Sequence, residues 1–71
     1  MNKIYLDYQE WRTLLFGETG FPNMGIELLN MIINLASNPE IRVILTNEGR
    51  PRWVLTYDTI TNKFKENPFL H

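Results

Sequence analysis

Ile41-Arg42-Val43-Ile44-Leu45-Thr46, Asn47-Glu48-Gly49-Arg50-Pro51 and Arg52-Trp53-Val54-Leu55-Thr56-Tyr57 follow one another in the second half of this 71-residue chain. The first and third stretches are rich in β-branched and aromatic residues and have the period of two that strands show. The middle one is turn chemistry. Together they predict a β-hairpin. Beyond it, residues 58–62 hold Asp58 and Asn62, which suit a second turn through local bonds to the backbone. Lys63-Phe64-Lys65 predicts a short last strand, ended by Glu66-Asn67-Pro68. Residues 66–71 then form a short tail, expected to be flexible.

Working back from the hairpin, the period is helical. Asn38-Pro39 stops a helix that reaches Ser37, because the residue before a proline is pushed out of the helical region. Asn23 is the expected N-cap of that helix, after a loop at 18–23 containing Gly20 and Pro22. An earlier helix starts at Asp7. Asp7 and Glu10 have capping-box spacing, and Leu6 and Trp11 stand at the positions of a hydrophobic staple. Tyr8, Trp11, Leu14 and Leu15 have helical spacing, and Gly17 is a natural terminator. Lys3-Ile4-Tyr5-Leu6 predicts a first strand.

The expected architecture is α+β, in the order β-α-α-β-β-β. Two helices pack on one face of a small, largely antiparallel sheet, which buries both apolar surfaces. The sequence leaves the place of the first strand in the sheet open. This order resembles that of the small RelE-like toxin ribonucleases, in element order alone. The chain is shorter and acidic overall, and no catalytic residue is carried over from them.

Seventy-one residues predict one domain, 1–71. A core of this size supplies about 3–5 kcal/mol of net stability. There is no cysteine, and the one histidine is His71, so neither a disulfide nor a thiolate metal site can staple the fold. The first residues are too short for the apolar core of a signal peptide, and a cytoplasmic location is expected. The apolar segment at 24–36 is too short to span a bilayer.

Net charge is −1, which argues against nucleic-acid binding by bulk electrostatics. The charge is uneven along the chain. Residues 1–40 carry Lys3 and Arg12 against Asp7, Glu10, Glu18, Glu27 and Glu40, a net of −3. Residues 41–71 carry Arg42, Arg50, Arg52, Lys63 and Lys65 against Glu48, Asp58 and Glu66, a net of +2.

Chemistry finds little to stand on. Nucleophilic catalysis of the Ser-His or Cys-His type needs a base beside the nucleophile, and zinc needs clustered ligands. The carboxylates are scattered. Gly17, Gly20 and Gly25 precede the second helix, yet fit neither the P-loop nor the dinucleotide spacing. No catalytic residue, cofactor or metal is expected.

Two features suit binding. On the second helix the apolar residues spread over roughly 220° at 100° per residue, against about 100° for an ordinary surface helix. Leu29, Ile32, Ile33 and Ala36 can meet the sheet. The flank of Met24, Leu28, Met31 and Leu35 either meets the first helix or docks on another chain. The second feature is Arg50-Pro51-Arg52-Trp53, because arginine and tryptophan are favoured at interface hot spots and also suit RNA.

The leading expectation is a non-catalytic interaction protein that binds, and inhibits, another protein or pairs with itself as a homodimer. Short phage-encoded inhibitors of host proteins are one such class. The alternative is a nucleic-acid-binding module or small ribonuclease using Arg42, Arg50, Arg52, Lys63 and Lys65. That alternative needs those cations on one face.

Overall fold

A computed structural model describes residues 2–16 and 25–70. Its elements are β1 (Asn2–Asp7), α1 (Tyr8–Phe16), α2 (Ile26–Ser37), β2 (Ile41–Asn47), β3 (Arg50–Asp58) and β4 (Lys63–Pro68). This is the expected α+β order. The four strands form one sheet in the order β1-β2-β3-β4. β1 runs parallel to β2, and the other neighbours are antiparallel. Among the described residues the first strand is therefore an edge, and β4 is the other.

The Asp7 signal holds. Its Oδ1 accepts the backbone N–H of Gln9 at 3.0 Å and of Glu10 at 3.1 Å. These are two of the donors a helix start leaves without an internal partner. Trp11 is fully buried, and Leu6 packs against the cluster it belongs to. Gly17 and Asn23 lie outside the described residues. The second helix starts later than expected, at Ile26, with Gly25 as its N-cap in place of Asn23. The Gly25 carbonyl accepts the Leu29 N–H at 2.9 Å, the first bond of the helix. Glycine is an acceptable N-cap without any side-chain bond.

The hairpin turn is tighter than the five residues expected. Only Glu48 and Gly49 lie between β2 and β3, with φ of 55° and 76°. Left-handed φ at both central residues is what a type I′ turn requires, and its twist matches that of paired strands. Arg50 to Trp53 are consequently strand. Pro51 pairs with Thr46 at a bulge in the ladder, one of the few places in a sheet that tolerate a residue without an N–H. β4 also outruns the expected residues 63–65 and continues to Pro68, opposite Trp53. Asn67 holds this extension by donating from Nδ2 to the Val54 carbonyl and to Thr56 Oγ1. Pro68 is tolerated because β4 is an edge.

Both helices lie on one face of the sheet. α1 packs over β1 and β2, and α2 over β2 and β3. Trp11, Ile32, Val43, Leu45 and Leu55 form the buried cluster between them. Trp11 packs edge-on against Phe64 with ring centroids 5.0 Å apart, and Tyr8 lies 4.3 Å from the Trp53 ring. α1 therefore ties the first strand to the third and fourth. Its Arg12 also reaches Glu66 of β4 at 3.4 Å. Among the described residues no helix is long and apolar enough to cross a membrane.

Candidate binding face

Successive strand residues point to opposite faces, so the register sorts the side chains. Leu6, Val43, Leu45, Trp53, Leu55 and Phe64 belong to the helix side, where they meet the core. Their neighbours belong to the other face, which carries no helix among the described residues. Across it runs one complete row, Tyr5, Ile44, Val54 and Asn67, paired strand to strand. Tyr5 is 60% exposed, whereas Ile44 is only 1% exposed although no helix of the described residues packs on this face. The row therefore has a closed apolar centre and an aromatic rim.

The next row is cationic. Lys3 pairs with Arg42, and Thr56 pairs with Lys65. Between those two pairs the sheet opens. The pairing of β2 with β3 ends here at Val43 with Leu55, while β2 continues back to Ile41 and β3 on to Asp58. A hollow lies at this end of the sheet, lined by Ala36, Ser37 and Asn38 at the end of α2 and by Ile41, Leu55 and Arg42, so it opens beside the helix rather than on the helix-free face. The Arg42 guanidinium carbon lies 5.6 Å from the centre of the Phe69 ring, within cation–π range. Phe69 is itself held by its N–H, which donates to the Arg52 carbonyl at 2.8 Å.

Lys63, paired with Asp58, completes the set on this face, while Arg52 is the unpaired bulge residue between Pro51 and Trp53 and is exposed there. Asp58 is the counterweight. Its Oδ1 accepts the N–H groups of Ile60 and Thr61, and its Oδ2 is 4.0 Å from Lys65 Nζ. The Ile60 and Thr61 backbone bonds, with a smaller contribution from Lys65, hold its carboxyl below the ordinary aspartate range. The helix-free face thus carries Lys3, Arg42, Lys63 and Lys65 against Asp7 and Asp58, a net of +2 among the described strand residues. Glu10 and Glu27 stand on the helices, and Glu66 stands on the helix side of β4 opposite Leu55.

The residues singled out from sequence are not brought together. Met24 lies outside the described residues. Leu28 and Met31, one turn apart on α2, are 38% and 57% exposed. Leu35 turns inward and packs against the core cluster, as does Trp53. Arg50 and Arg52 are exposed at the start of β3. Of the five cations named for nucleic-acid binding, Arg42, Lys63 and Lys65 share the helix-free face, and Arg52 stands at the bulge. Arg50 pairs with Asn47 beyond the bulge. Lys3 and Tyr5 were not singled out. The alternation Lys3-x-Tyr5-x-Asp7 was visible, but its meaning depends on β1 lying beside β2.

No family model, curated protein or solved structure matches this chain.

Proposed function

We propose that this protein is a non-catalytic binding module that takes a single-stranded nucleic acid on the helix-free face of its sheet. The observation that carries the reading is the segregation of charge, a net +2 among the strand residues of one face on a chain of net −1. A solvated sheet face of mixed charge has no need of such separation. Open sheets suit single strands because the bases can lie flat on exposed aromatic side chains while cations meet the phosphates. Tyr5 offers the ring, and Lys3, Arg42, Lys63 and Lys65 offer the charges. Neutralising three or four phosphates makes the slope of log K against log salt roughly −2 to −3 for a single strand.

Fluorescence anisotropy of a labelled 12-mer, titrated with protein at several salt concentrations, tests this. Binding with that slope, weakened at least tenfold in Arg42→Ala with Lys65→Ala, is the expected result. The absence of binding at low salt, or binding unchanged in the double variant, defeats the reading. Cleavage of the oligonucleotide would turn it toward a ribonuclease.

A second reading, a protein partner, has its own support in Leu28 and Met31. Two neighbouring apolar side chains of α2 stand in water, and covering each would contribute about 1.5–3 kcal/mol. On that reading the protein is an inhibitor or modulator that docks α2, and Leu28→Asp with Met31→Asp abolishes capture of its partner.

A further inference from the structure

The two edges of the sheet are built differently. β4 carries Lys63, Lys65 and Glu66 and ends in Pro68, the charges and proline that keep an edge from pairing with another chain. β1, Asn2-Lys3-Ile4-Tyr5-Leu6-Asp7, has no proline, and both Ile4 and Tyr5 are exposed, at 37% and 60%.

The outward backbone of β1 follows from one bond. Asn2 donates its N–H to the Glu40 carbonyl, on the β2 side. Backbone groups alternate along a strand, so Asn2, Ile4 and Leu6 turn theirs to β2, and Lys3, Tyr5 and Asp7 turn theirs outward. An incoming antiparallel strand must match that alternation and keep each face on its own side.

We infer that β1 pairs antiparallel with β1 of a second copy of this chain, centred on Tyr5. In that register Tyr5 faces Tyr5, and both are outward-bonding residues. Lys3 faces Asp7, and Asp7 faces Lys3. The two opposite charges thus meet twice, on the helix-free side. Asp7 uses Oδ1 for the start of α1, and its other carboxylate oxygen can meet the lysine. Ile4 faces Leu6 on the helix side, at the closer spacing of pairs that do not exchange bonds. The strand is self-complementary in charge, apolarity and bonding pattern, as a two-fold interface requires. The product is one continuous eight-stranded sheet with all four helices on one side. It joins two helix-free faces across the axis. The pairing does not depend on nucleic acid, and it stands or falls apart from the reading above.

Sedimentation equilibrium on nuclease-treated protein tests it. The expected mass rises with concentration from 8.4 kDa toward twice that value. Lys3→Glu sets like charges opposite one another at both ends and should weaken the dimer at least tenfold. Tyr5→Pro removes an outward N–H while leaving the β1–β2 bonds, and should leave a monomer whose circular dichroism is unchanged. If Tyr5→Pro fails to fold, Lys3→Glu, an exposed side chain, decides alone. A parent that stays at 8.4 kDa at millimolar concentration overturns the inference. So does a dimer indifferent to Lys3→Glu, or one broken instead by Leu28→Asp with Met31→Asp.

Discussion

One sheet presents two unlike faces. The helix side buries Trp11, Ile32, Val43, Leu45 and Leu55. The helix-free side buries Ile44 alone among its described residues and carries Lys3, Arg42, Lys63 and Lys65. The strands are shared, so the same backbone must serve both. Most of the buried core therefore comes from one alternate set of side chains, and the proposed function assigns binding to the other set. Substitutions on the two sides should separate folding from binding.

The largest effect lies on the covered side. Trp11 is fully buried, and its indole N–H has no hydrogen-bond partner among the described residues. Trp11→Ala should cost about 3–5 kcal/mol, comparable to the whole net stability of a domain this small. Tyr5→Ala, across the sheet, should cost under about 1 kcal/mol, since its side chain is largely in water. Urea midpoints of the two variants measure the asymmetry, and equal losses would break it.

Next comes the junction that brings α1 over the sheet. Asp7→Ala removes the acceptor for two N–H groups and should destabilise by about 0.5–2 kcal/mol. Gly49→Ala acts on both faces at once, because its φ of 76° suits only glycine well. A loss of about 1 kcal/mol is expected, with no change in oligonucleotide affinity beyond the loss of folded protein. Denaturation monitored alongside anisotropy checks both variants.

The smallest effect is electrostatic and belongs to the helix-free side. Asp58 has a depressed folded pKa. Its contribution to stability is present in full above the ordinary aspartate value and is lost as pH falls through the folded one. It also stays charged beside Lys65 at every pH above that range. Asp58→Asn should raise affinity for the oligonucleotide at pH 7 and remove that acid-range step in stability. Affinity lowered by this substitution would mean that Asp58 orders Lys65 more than it neutralises it.

Much of the fold was legible because local signals agreed. The Asp7 cap, the staple of Leu6 on Trp11 and the change of period near Pro39 each marked a boundary that the structure keeps. The hairpin turn was misjudged because Pro51 looks like a turn residue, and a bulge that accommodates proline leaves no mark in composition. β4 was cut short for a similar reason, since Pro68 is a breaker unless the strand is an edge. The proposed binding face was the least legible part. Lys3, Arg42 and Lys65 are far apart in the chain, and only the parallel placement of β1 beside β2 and the register of β4 put them on one surface. Trp53 misled in the opposite direction. It stands beside Arg52 in sequence, yet strand alternation sends it into the core.

The two faces can be told apart in one measurement. Amide chemical shifts of isotope-labelled protein are followed while an unlabelled single-stranded 12-mer is added. Binding on the helix-free side moves the amides of Tyr5, Arg42, Ile44, Thr56 and Lys65 and leaves Leu28 and Met31 in place. Shifts confined to α2, or a spectrum that does not change at low salt, would contradict it.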